Sequence, residues 1–271
     1  MNRLQEILFN ILGGIVVALL TLLIRWAFYK MSARRFRHVF SDDADSNFHI
    51  IYTEYKSPSK ETVFPKAKPL IARVHAQAAT NLTTINSCAT TRAVGHLVYA
   101  FGKNIKTSPK VCSDIDTDED MALSSISIGG VTNFKSCDLL NDPANIFLNF
   151  QNSAIVNIKS KLPIVRLGEP HIDYGLIIKI HPKSNPKQTW ICCAGFGEWA
   201  TSGSAWYLAN RWKEIRQWAG DKPFACVVKT KSGSDNSTEP IECFIKKNNL
   251  LTTAIRKISF RKKHFKITQI E

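Results

Sequence analysis

The residues best placed to do chemistry lie in Thr189–Ser204, TWICCAGFGEWATSGS. An apolar run ends in Gly195-Phe196-Gly197-Glu198-Trp199-Ala200, formally G-x-G-x-x-A, and Thr201-Ser202-Gly203-Ser204 opens a helical pattern over 203–218. Free backbone N–H groups at a helix start, hydroxyls beside them and glycines that permit close approach together suit an anion such as phosphate. A dinucleotide fingerprint would sit on a first βαβ unit, with an acidic residue about 20 residues downstream. Glu214 falls inside the helix, which argues against that role. The same residues also suit a plain N-cap with tight turns.

A second turn, Gly129-Gly130-Val131-Thr132-Asn133, follows the strand-like run Leu123–Ile128. If the two turns end neighbouring strands, they face each other across the crevice where open α/β sheets bind ligands. Thr132 and Asn133 would then read a base or ribose. The expected ligand-binding set is therefore Gly129, Gly130, Thr132, Asn133, Gly195, Gly197, Thr201, Ser202, Gly203 and Ser204. For catalysis, Glu198 and Asp173 form a candidate carboxylate pair of the kind that cleaves N-glycosidic bonds, although nothing in the sequence sets their distance.

Other chemistries find little support. The seven histidines (His38, His49, His75, His96, His171, His181, His264) show no metal-ligand spacing, so neither a metal nor a cofactor is expected. The seven cysteines are an odd number without a C-x-x-C pair, and Cys192-Cys193 sit in an apolar run. They read as buried thiols rather than a disulfide framework. The acidic run Asp114–Asp120 lacks the central glycine and terminal glutamate of a calcium loop. No G-x-S-x-G, H-E-x-x-H or Walker A pattern is present.

The elements that must position these residues alternate in type. Strands are expected at 48–55, 111–112, 123–128, 146–150, 154–159, 174–181, 188–194, 224–230 and 241–246. Tyr174–His181 and Gln188–Ala194, joined by Pro182–Lys187, read as a long-looped hairpin. Helices are expected at 87–101, closed by Gly102, at 203–218, and over a short stretch at 70–79 beyond a loop with Pro58, Pro65 and Pro69. This pattern predicts one Rossmann-like, mixed-sheet α/β domain over 48–246.

Ahead of that domain, Ile7–Ile24 contains no charged side chain. Eighteen helical residues cover about 27 Å, close to a bilayer core. Arg25, Trp26, Phe28, Tyr29 and Lys30 follow as an interfacial anchor. A cleaved signal peptide would have a shorter apolar core and a small-residue cleavage site. A buried core helix would need more protein around it than a chain end provides. Residues 1–30 are thus expected to be a single transmembrane anchor, and 31–47 a basic and polar neck. Arg25, Lys30, Arg34, Arg35 and Arg37 on its C-terminal flank place the domain in the cytoplasm and the N-terminus outside. The sequons at Asn81 and Asn236 would matter only in the inverted orientation.

The net charge of +14 is uneven: residues 1–40 carry +5, 245–271 carry +7, and the long middle only +2. A basic C-terminal segment, 247–271, and the basic neck would both lie against an anionic inner leaflet. Nucleic-acid binding by the tail has no recognisable motif behind it.

In layout, Ile7–Ile24 with Gly129–Asn133 and Gly195–Ser204 resembles prokaryotic membrane-anchored effectors of nucleotide-signalled antiphage systems. The resemblance implies a sensor of a nucleotide-type small molecule in the inner (plasma) membrane. It also implies a homo-oligomer that perturbs the membrane, because one helix cannot form a pore. The alternatives are a membrane-anchored enzyme acting on a nucleotide or sugar-nucleotide, and a tethered scaffold whose glycine turns are only turns.

Overall fold

The computed structural model describes residues 3–56, 84–85, 87–117, 123–246 and 265–270. The short helix expected at 70–79, the sequon at Asn81 and most of the basic C-terminal segment lie outside the described residues. The architecture is a long apolar N-terminal helix followed by a mixed α/β sheet domain.

Helix α1 runs unbroken from Arg3 to Phe40. From Ile11 to Phe28 its side chains are exposed on every side, and this helix is long and apolar enough to cross a membrane. Further along it changes character. Ala33, Phe36, Val39 and Phe40 are buried, a helical stripe that enters the domain core. Phe36 stacks on Phe40 at 4.2 Å and meets Phe101 and Trp212 edge-on at 5.2 and 5.3 Å. The segment expected as a polar neck is therefore mostly the docked end of α1. Its charges gave the segment a polar reading, while the burial depends on Phe36 and Phe40 falling on one face. The chain turns at Ser41–Asn47, where Arg37 pairs with Asp45 at 2.5 Å.

The remaining elements are β1 (Phe48–Tyr52), β2 (Tyr55–Lys56), β3 (Thr84–Ile85), α2 (Cys88–Ile105), β4 (Lys110–Ser113), β5 (Ser124–Ile128), α3 (Phe134–Asn141), β6 (Leu148–Gln151), β7 (Ala154–Asn157), β8 (Pro163–Arg166), β9 (Ile172–Ile180), β10 (Trp190–Gly195), α4 (Glu198–Ala219), β11 (Phe224–Lys231), β12 (Ser234–Lys246) and β13 (Lys266–Ile270). The main sheet has the order β13-β12-β11-β9-β10-β5-β1-β4. Strands β4, β1, β5 and β10 are mutually parallel, β9 runs against β10, and β11 runs against β9. The expected hairpin of 174–181 and 188–194 is β9–β10.

Both faces of the sheet are covered. The end of α1 together with α2 and α4 packs one face. Helix α3 and the small antiparallel sheet β6-β7-β8 pack the other. Side chains alternate accordingly: Cys193, Cys226 and Val228 point to the helical face, and Cys192, Ala225 and Val227 to the opposite one. Burial on both faces explains the continuous apolar runs. Helix α2 passes Gly102 and ends at Lys106, which adopts a left-handed φ of 56°. The apolar stripe Ala93–Leu97–Phe101–Ile105 continues beyond the glycine, and its burial outweighs the roughly 1 kcal/mol that glycine costs a helix.

One charged group lies inside this packing. Lys179, in β9, is 2% exposed; its ammonium donates to the His38 carbonyl at the end of α1 (2.8 Å) and to the Asp221 carbonyl (3.0 Å). It thereby satisfies one of the carbonyls that a helix end leaves open and ties α1 to a central strand. Burial pulls its pKa down to about 8, against the opposing pull of Asp221 and Asp42.

Candidate functional site

The two glycine turns lie side by side. Strands β5 and β10 are adjacent and parallel, in register from Trp190↔Ser125 to Cys193↔Ile128. Gly129-Gly130 and Gly195–Gly197 therefore leave the same edge of the sheet, and Gly129 N–H donates to the Cys193 carbonyl at 3.0 Å. The order β4-β1-β5-β10 reverses direction at β1, with α2 and α3 on opposite faces, so a crevice is expected between the ends of β1 and β5.

The protein's own groups fill that crevice. Gly129 has φ +110°, and a Cβ there would sit 2.6 Å from Thr53 Oγ1. Asn133 is completely buried: its Oδ1 caps α3 by accepting from Ser136 N–H (3.1 Å), and its Nδ2 donates to the Ile51 and Ile128 carbonyls. Asp114, at the end of β4, accepts from Glu54 N–H and Phe134 N–H, each at 3.1 Å. Desolvation raises its pKa to about 6 in spite of these bonds. Thr132 stays half-buried at the turn.

The α4 turn is built the same way. Asp173 accepts from Gly197 N–H at 3.1 Å and from Ala200 N–H at 2.8 Å. Its carboxylate occupies the helix N-terminus, where the sequence suggested an anion. Burial pushes its pKa up, and the bonds from Ala200 and Gly197 oppose the shift. The helix begins at Glu198, so Thr201–Ser204 lie within it and are buried. Thr201 and Ser204 donate their hydroxyls back to the carbonyls of Gly197 and Ala200. A Cβ on Gly195 would sit 2.5 Å from Ala200, and one on Gly203 2.4 Å from the hydroxyls of Thr230 and Thr238. Both glycines let α4 approach the sheet. Glu198 is exposed, whereas Asp173 is committed to capping.

The open part of this rim is thus smaller than the residue set suggested. It comprises Gly130, Thr132, Gly197 and Glu198, flanked by half-buried Phe150 and Phe196, whose rings meet edge-to-face at 5.3 Å. The Phe150 ring lies 3.5 Å from the position of a Cβ on Gly130.

Beside it is a cluster that sequence reasoning missed. Asp235, in β12 just past the β11–β12 turn, accepts from Arg92 Nε (3.2 Å) and Ser202 Oγ (2.5 Å), and lies 3.1 Å from His96 Nε2. Arg92 also donates to Ser202 Oγ and stacks over Trp199 at 4.0 Å. Serine, histidine and aspartate meet here, but with the aspartate central, whereas a nucleophilic relay has its histidine central. The arrangement clasps α2, α4 and the hairpin. Its sequence signal was Arg92 and His96 at i, i+4 on a helix with a long apolar stripe. Among the described residues no three His, Cys, Asp or Glu side chains converge as metal ligands. No protein-family model matches the chain, and neither a curated protein nor a solved structure matches it.

Proposed function

We propose that the protein is a single-pass membrane protein whose α/β domain senses a nucleotide-type small molecule on the cytoplasmic side. It acts as a homo-oligomer on the membrane that holds it, in the manner of nucleotide-signalled antiphage effectors. The observation that carries this reading is α1: a helix exposed and apolar from Ile11 to Ile24 continues without interruption into the domain core. Exposing such a surface to water is unfavourable, and a bilayer removes that cost. The basic residues from Arg25 to Arg37 support a cytoplasmic domain next to an anionic inner leaflet.

The sensing half rests on the paired turns. Four parallel strands with helices on both faces favour a Rossmann-like core, and the rim residues Gly130, Thr132 and Gly197 offer backbone edges beside the Phe150–Phe196 pair. That pair suits stacking on a base. Asp173 and Asp114 already cap the two helices, so the ligand is recognised through its nucleoside part, and its phosphates point away from the helix N-termini. The test uses the full chain in detergent or nanodiscs, screened by thermal shift against mono-, di- and cyclic nucleotides, with Phe196→Ala as control. A ligand at a hundredfold excess over Kd adds about 2.7 kcal/mol of stability. A shift lost in Phe196→Ala supports the sensor. No shift with any nucleotide removes the sensing half and leaves a tethered scaffold.

A further inference from the structure

At the membrane-facing end of the domain, Lys30, Arg34, Arg37 and His38 follow one another along one side of α1. With Asp42 and Asp221 they line an open pocket of about 580 Å³. We propose that this pocket binds the headgroup of an anionic phospholipid that carries hydrogen-bond donors beyond its phosphate, as in the phosphoglycerol class. The inference rests on the reading of α1 as a membrane anchor.

Depth agrees with this occupant. A hydrocarbon core of about 30 Å takes about 20 helical residues, Ile7 to Trp26. Lys30 then stands about 6 Å beyond its edge, at the level of lipid phosphates, and Arg34 is rooted about 12 Å beyond it, just outside the headgroup layer, with its side chain tilted back toward the membrane as on any helix. Exposed Trp26, with the Lys30 ammonium 5.8 Å from its ring centre, marks that boundary. Chemistry agrees as well. The Arg37 guanidinium is bound to Asp45 through one terminal nitrogen, which holds this lining residue in place. Asp42 and Asp221 add carboxylates to the lining. A bare anion is poorly served by that mixture, whereas a phosphate followed by hydroxyls uses both kinds of group. Lys179 ties two of the lining residues to β9 through the His38 and Asp221 carbonyls.

The experiment compares Arg34→Gln with Arg35→Gln in the full chain. Arg35 is exposed, lies outside the pocket and removes the same charge. Flotation with phosphatidylcholine vesicles first tests the anchor itself: a chain that does not co-float removes the membrane reading, and the pocket with it. For chains that do co-float, a short-chain phosphatidylglycerol is titrated into detergent-solubilised protein and followed by thermal shift or native mass spectrometry. A basic residue near an anionic surface contributes about 1 kcal/mol, so Arg34→Gln should weaken binding about fivefold and Arg35→Gln far less. Equal loss in both variants reduces the effect to general surface charge and overturns the pocket. Equal binding of inorganic phosphate, or of phosphatidylcholine, overturns the choice of occupant.

Discussion

Replacing Lys179 by Met should change how stability depends on pH, and the sign follows from burial. In the unfolded chain the ammonium titrates near its ordinary value of 10.5; in the folded protein it does so at about 8. Below pH 8 both states hold the proton, and the folded state bears the cost of a desolvated charge. Between about 8 and 10.5 the unfolded state keeps the proton that the folded state has released, so stability rises with pH across that window. At about 1.4 kcal/mol per pH unit, the gain is about 3 kcal/mol. Other groups titrate nearby: burial raises the Cys192 thiol to about 11, and it works in the opposite direction above pH 9. Subtracting the Lys179→Met profile from that of the wild type cancels them. Methionine keeps the chain length and drops the charge, and leaves the His38 and Asp221 carbonyls unpaired at about 1–3 kcal/mol each. Near neutral pH the two effects oppose each other, so the variant folds with modestly altered stability. Urea unfolding in a fixed detergent, followed by the fluorescence of buried Trp212 and Trp218, supplies both curves. Wild type should gain on the variant as pH rises through 8–10.5; parallel curves would refute the account of a charged lysine in the core.

Asp114 gives the mirror case. With a folded pKa of about 6 against an ordinary 3.8, its contribution falls as pH rises from about 4 to 6, by about 3 kcal/mol, and Asp114→Asn should flatten that slope in acid unfolding curves. Asp173→Ala removes the α4 cap; a loss of about 1–2 kcal/mol is expected, together with a new stabilisation by inorganic phosphate at matched ionic strength that the wild type lacks. Gly203→Ala should cost about 2 kcal/mol or more, because its methyl meets Thr230 and Thr238, whereas Gly102→Ala, facing open space in α2, should gain up to about 1 kcal/mol in the same melts.

Local patterns carried the elements, and long-range partners were invisible. The β9–β10 hairpin followed from two apolar runs around Pro182–Lys187, and α4 from its own periodicity. The nearness of the two turns was open to inference because apolar strands ending in glycine tend to share a sheet edge. The occupants of the helix N-termini were not. Asp173 precedes α4 by one strand and its hairpin partner, and Asp114 precedes α3 by one strand, so nothing in the spacing of either pair announces a cap. A glycine-rich turn looks alike whether its N–H groups await a phosphate or hold a carboxylate of the same chain. Asp235 failed for the same reason: Arg92 lies 143 positions before it. The end of α1 misled differently, since Arg34, Arg35 and Arg37 dominated the composition while Phe36 and Phe40 decided the packing.

The missing joint in α1 has a mechanical meaning. Phe36, Phe40 and Lys179 clamp one end of a single rod whose other end is apolar, so the two ends share one rotational phase. A helix advances about 100° per residue, and one alanine inserted between Ile24 and Lys30 would turn the domain by that angle relative to the apolar face. Four insertions would return it nearly to register, one turn higher. Any signal passing along α1 would rise and fall with that period, and a flexible tether would show no such rhythm.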